Sequence, residues 1–175
     1  MKLKFSVASI LMLCFALCAC EKDSNNDPGT STSYIKAKFN GQEVMFSSNV
    51  HAFKSFLPNE NLYSLVIDGD SEVEALNLHV YSPSDFASGG TYGNHIAGGE
   101  ASEAIYAPDF TVTDSTTFYY SHYKYVAVPE IIECKITEIT ADHYKGTFST
   151  DLYQDKFNNV PQKLAVTEGE FFIKR

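Results

Sequence analysis

The chain has 175 residues, with 22 acidic against 13 basic side chains and a formal net charge of −9 at pH 7. Hydrophobic residues make up 44%, enough to build a core and to exclude wholesale disorder, and the length suits one domain. The acidic balance argues against nucleic acid as a partner, because that binding rests on Lys and Arg neutralising phosphates.

The N-terminus reads as an address. Met1-Lys2-Leu3-Lys4 is a short basic stretch, and Phe5 to Ala19 is an uncharged apolar run. A helix needs about 20 apolar residues to span a bilayer, and this run is shorter. The pattern predicts a signal peptide over residues 1–19, with a retained membrane anchor as the alternative. Leu17-Cys18-Ala19-Cys20 resembles the lipobox of bacterial lipoproteins, with Leu three before the modified Cys and a small residue just before it. Cys18 fits less well, since Ala16 and Leu17 precede it. The resemblance implies cleavage before Cys20, and lipid on both its sulfur and its new N-terminus. Two or more acyl chains at about 0.8 kcal/mol per buried CH₂ hold a protein durably, where one chain is marginal.

Cleavage would remove two Lys and no acidic residue, taking the net charge from −9 to −11. Of the four Cys, the body keeps only Cys134, so it has no internal disulfide. Ile132 and Ile136 share the face of Cys134 on a predicted strand, which makes it a buried, inert thiol.

Residues 20–33 form the lipidated N-terminus and a tether. The polar stretch Glu21 to Ser33, with Pro28-Gly29 inside it, cannot bury enough apolar surface to offset its ordering entropy. A random coil of that length reaches roughly 20 Å. Glu21 and Asp23, just after the lipidated Cys, resemble the surface-export signal of Bacteroidota lipoproteins, although Lys22 interrupts the acidic run. The expected location is the outer membrane with the body facing outward; the periplasmic face is the alternative.

From Tyr34 to the end the periodicity is two, which predicts a single all-β domain over 34–175. Ile35, Ala37 and Phe39 alternate with polar residues. Asn40-Gly41 follows, the favoured pair for a type I′ hairpin, and the return strand sends Val44 and Phe46 inward. Leu62–Ile67 and Val73–Tyr81 are further strands around a turn at Asp68-Gly69-Asp70-Ser71. Phe110 to Tyr125 favours strand through its Thr, Tyr and Phe content. In the last third, Ile132, Cys134 and Ile136 alternate, as do Tyr144, Gly146, Phe148, Thr150 and Leu152. Lys163–Lys174 closes the series, with a bulge at Gly169 that lets Phe171 and Ile173 resume the inward phase. Many short strands with regular turns predict an antiparallel β-sandwich, with a closed, lipocalin-like β-barrel as the alternative.

Lys36-Ala37-Lys38-Phe39-Asn40-Gly41-Gln42, Gly90-Thr91-Tyr92, Gly146-Thr147-Phe148-Ser149 and Val166-Thr167-Glu168-Gly169-Glu170-Phe171 together resemble a family of small Bacteroidota lipoproteins. The resemblance implies an all-β body and supplies no catalytic residues. Members carry an aromatic just after the Asn-Gly turn, where this chain has Val44.

Motifs that carry chemistry are sparse. His51, His79, His95, His122 and His143 show no metal-ligand spacing and read as solvent-facing strand histidines. Asp68, Asp70 and Glu72 match the first ligands of a calcium loop, but Val73 and His79 stand where its Gly and Glu belong, so a solvated turn is the better reading. No nucleophile elbow, phosphate loop or dinucleotide motif is present, so neither catalysis nor a cofactor is expected. Phe118 to Tyr125 is the segment that suggests binding: Tyr119, Tyr123 and Tyr125 share one face and suit stacking on a glycan or an envelope protein. Core packing of that face is the competing reading. The expectation is thus a non-catalytic, lipid-anchored binding module, against a barrel carrying an apolar ligand or an unrecognised enzyme. Cys20→Ser should abolish incorporation of labelled palmitate into the full-length product; retained label would exclude Cys20 as the lipid site.

Overall fold

The computed structural model describes residues 32–93, 102–111, 117–121, 132–154 and 162–175, which all lie in one compact unit, Thr32–Arg175. Among them every regular element is a strand. The strands are β1 (Tyr34–Phe39), β2 (Gln42–Phe46), β3 (Ser48–Leu57), β4 (Leu62–Asp70), β5 (Ala75–Ser82), β6 (Thr91–Tyr92), β7 (Glu103–Ala107), β8 (Tyr119–Tyr120), β9 (Glu133–Ile139), β10 (His143–Gln154) and β11 (Gln162–Lys174).

They form one antiparallel sheet in the order β2-β1-β11-β10-β8-β7-β5-β4-β3. Its two end strands, β2 and β3, are separated in the chain by Ser47 alone, whose N–H donates to the Asp70 carbonyl of β4 at 3.0 Å. The sheet therefore curls until its ends meet. Of the two all-β architectures expected, the nearly closed barrel is the one observed. β10 is long enough to serve two neighbours on one edge: Tyr144–Ser149 pair with β9, and Tyr153–Gln154 pair with β8. β6 adds to the far side of β9.

Local chemistry explains the framework. At the β1–β2 turn, Asn40 and Gly41 have φ of 48° and 86°, the two positive angles a type I′ turn needs. On β11 the register opposite β1 jumps from Lys36↔Glu170 to Lys38↔Thr167, with Glu168 at φ 51°. This bulge is why Val166 and Phe171 both face inward although four residues, an even number, lie between them. Ile132, just before β9, and Cys134 and Ile136 on it are fully buried, as their alternation predicts, and burial pushes the Cys134 thiol up to about 12.

Three expectations require correction. The turn expected at Asp68–Ser71 is strand: β4 continues to Asp70, and the chain reverses over Ser71–Glu74. Gly69 is a packing residue. A Cβ there would lie 2.9 Å from Ile35 Cδ1 and 3.1 Å from Phe46 Cβ, so only glycine lets the barrel seam close this tightly. Asp68 and Asp70 accordingly sit on the outer face, where Asn77 donates to Asp68 and Asn49 donates to Asp70. β3 and β7 were not foreseen; β3 hides its pattern by placing Lys54 in the inward phase, where its ammonium meets Asp85 at 2.8 Å. Of Phe110–Tyr125, the described residues in strand are Tyr119 and Tyr120.

The interior is filled by side chains with no exposed surface, among them Phe46, Ile35, Leu65, Leu78, Ile136 and Leu152. Phe171, 1% exposed, lies within this core. Phe171→Ala should cost about 3–5 kcal/mol in chemical denaturation; a loss below about 1 kcal/mol would place the ring outside the core.

Candidate functional site

With the interior packed, the concave features lie at the barrel's surface and ends. At the end where β1 finishes and β5 begins, a cavity of about 280 Å³ opens among Phe39, Val44, Glu74, Tyr106, Tyr119 and Leu164. Asn40, Gln42 and Pro108 complete its lining. Each wall follows from the topology. Phe39 is the last inward residue of β1 before the Asn-Gly turn, and Tyr106 and Tyr119 are direct cross-strand partners on β7 and β8. Directly opposed residues project to the same side of a sheet, so both tyrosines face in.

The rings form a continuous line from core to mouth. Phe46, fully buried, meets Phe39 edge-on at 6.1 Å; Phe39 stacks on Tyr106 at 4.3 Å and 28°; Tyr106 meets Tyr119 at 6.1 Å. Such pairs each contribute about 0.5–1.5 kcal/mol beyond the area they bury. The polar counterpart is Glu74, whose Oε1 accepts the Tyr106 hydroxyl at 2.5 Å. Glu74 is held in turn by the turn it belongs to: its N–H donates to Ser71 Oγ at 3.0 Å, and the Ser71 N–H donates to its carbonyl at 2.8 Å. Asn40 pins the facing rim, accepting the Ala165 N–H at its Oδ1 at 2.9 Å. The mouth therefore combines a stacked line of aromatic side chains with one carboxylate held by the Tyr106 hydroxyl.

Two other polar clusters stand on the outer face. A concavity of about 330 Å³ over the β11 bulge includes Lys36, Lys38, Glu168 and Glu170 in its lining. Its lysines are already bridged, Lys36 to Glu170 at 2.8 Å and Lys38 to Glu168 at 2.7 Å. The Glu170 hydrogen bond raises the Lys36 pKa. On β4–β5, Ser64 Oγ and His79 Nε2 share a hydrogen bond of 2.8 Å, and the Tyr81 hydroxyl lies 3.3 Å from His79 Nδ1. A serine beside a histidine has the makings of a nucleophile and base. Ser64, however, is only 3% exposed, and in this setting the pairing satisfies polar groups that the fold has buried.

Of the residues singled out from the sequence, Tyr119 lines the mouth, half-buried, with burial raising its pKa. Tyr123, Tyr125 and Cys20 lie outside the described residues, as do His95 and His122. His51 is exposed beside Asp68, whereas His79 and His143 are half-buried against polar partners. Among the described residues no three His, Cys, Asp or Glu side chains gather as a metal site. Phe39, Glu74 and Tyr106 were missed. A usable signal existed for Phe39: the last inward residue before a tight turn must sit at a barrel end. Comparison with family models, with curated proteins and with solved structures gives no match.

Burial first, and then the Glu74 hydrogen bond, hold the Tyr106 phenol well above its ordinary pKa of 10.0. The folded state thus favours the neutral phenol, a preference fully expressed below about pH 10 and lost as pH rises past it. Wild-type stability should begin to fall near about pH 10 and go on falling above it, and Tyr106→Phe should lessen that fall, since Phe does not ionise. Identical pH profiles would mean that Tyr106 ionises alike in folded and unfolded chains.

Proposed function

We propose that this chain is a lipid-anchored envelope protein, tethered through Cys20, whose barrel presents the mouth lined by Phe39, Tyr106 and Tyr119 as a binding site. The lipobox-like Leu17-Cys18-Ala19-Cys20 and the polar tether support the anchoring. The mouth itself carries the binding half of the reading: an open cavity of about 280 Å³ at the end of a packed barrel, with aromatic walls and a few fixed polar groups. Ligand sites have that make-up, apolar and aromatic for the most part with a small number of polar groups to orient the ligand. Glycans and peptide side chains from the envelope fit its size and its stacking surface. The motif resemblance to small Bacteroidota lipoproteins agrees with an outward-facing binding or accessory role, with no chemistry performed on the ligand.

The carrier alternative needs interior room, and the inward positions of β1, β4, β5 and β9 are occupied by fully buried side chains such as Ile35, Ile67, Leu78 and Ile136. The mouth, not the lumen, is where a ligand fits.

The test is a carbohydrate and peptide array probed with full-length protein in non-ionic detergent. Binding to one ligand class, weakened about tenfold by Tyr119→Ala, is the expected outcome for a stacking residue. Equal signals from wild type and Tyr119→Ala, or none from either, would remove the mouth as the binding site.

A further inference from the structure

The charge pattern of the mouth narrows the chemistry of what it holds. Among the described residues that line the cavity, Glu74 is the only charged one. Some other carboxylates of the described surface are answered by a cation, as in Lys36–Glu170, Lys54–Asp85 and Lys163–Asp151. Glu74 is instead answered by hydroxyls. Tyr106 donates to Oε1 at 2.5 Å, and Ser71 Oγ lies 3.5 Å from Oε2. These neutral donors orient the carboxylate without cancelling its charge. The walls around it are apolar or aromatic: Phe39 and Tyr106 stacked at 4.3 Å, Tyr119 half-buried beside them, and Val44 and Leu164 across the opening. Outside the cavity the rim continues in exposed apolar residues, Val73 and Phe110, joined by a 2.9 Å backbone hydrogen bond.

Aromatic rings around one uncancelled carboxylate are suited to a particular kind of guest. A strongly hydrated small cation would lose its water to apolar walls, and an anion would meet Glu74 directly. An organic ammonium ion, whose charge is spread over alkyl groups, sheds water cheaply and draws on both the ring quadrupoles and the carboxylate. We infer that the mouth of the barrel recognises an organic ammonium ion, with Glu74 as its counter-charge, Phe39, Tyr106 and Tyr119 as its aromatic surround, and the Val73–Phe110 rim accepting an attached apolar group. The inference rests on the mouth being the binding site, and adds the charge and the class of the ligand. The acidity of the whole chain, net −9, favours approach of a cation as well.

Choline and 3,3-dimethylbutan-1-ol are matched probes, since they have the same shape and differ in charge. Titration calorimetry on the full-length protein in a non-ionic maltoside micelle should find choline bound at least about tenfold more tightly than the neutral alcohol. Glu74→Gln should erase that preference while leaving the alcohol's affinity in place, and Tyr119→Ala should weaken both. The wild-type comparison requires no variant to fold, so an unstable Glu74→Gln protein leaves the test intact. A preference for choline below tenfold would overturn the ammonium assignment while leaving the mouth a ligand site. Binding of neither probe would also overturn it, and the array with Tyr119→Ala then decides separately whether the mouth binds anything.

Discussion

The structure depends on a seam. β2 and β3 follow one another in the chain across Ser47 alone, yet they stand at opposite ends of the hydrogen-bonded path through an 11-stranded sheet. That arrangement requires the sheet to curl through nearly a full circle. Gly69 is where the requirement is felt most closely, with side chains of β1, β2 and β3 (Ile35, Phe46 and Val50) within 3.2 Å of where a Cβ would stand. The Ser47-to-Asp70 hydrogen bond fastens the same point. Everything inside the barrel, including the aromatic line that reaches the mouth, takes its place from that closure. Sheets without such closure leave unpaired edges; here the geometry brings both edges together.

A packed lumen and an open cavity at one end are two results of the same packing. Leu, Ile and Phe side chains occupy the inward positions of the central strands, so space reappears only where strands terminate. At that end the chain places large rings on strand ends and a carboxylate on a turn. Phe39 closes β1, Tyr106 lies one residue from the end of β7, and Glu74 directly precedes β5. The site is thus made of terminal positions of well-ordered elements, and it inherits their rigidity while remaining open to solvent.

Much of the framework was legible because two-residue alternation and turn chemistry are local properties. The opening hairpin, β9, β10, and the phase shift in β11 around Glu168 and Gly169 could all be read from their own residues. What failed was non-local. Gly69 reads as a turn residue until it is known that Ile35 and Phe46 press against it, and β3 looks irregular until Lys54 is known to reach Asp85. Tyr119 stood out because aromatics crowd around it in the sequence. Its true companions, Phe39 and Tyr106, arrive from distant strands, and no spacing rule connects them. The choice between sandwich and barrel was closed to sequence for the same reason, since both impose identical alternation and differ only in which edges meet.

The pairing of β1 with β11, Ile35 opposite Phe171, has a kinetic meaning. β1 lies between its immediate successor β2 and the remote β11, so the hydrophobic interior stays incomplete until β11 is present. Contacts between such remote parts of a chain form late and slowly. The absence of any disulfide partner for Cys134 among the described residues means that the final collapse there waits on topology and not on an oxidant.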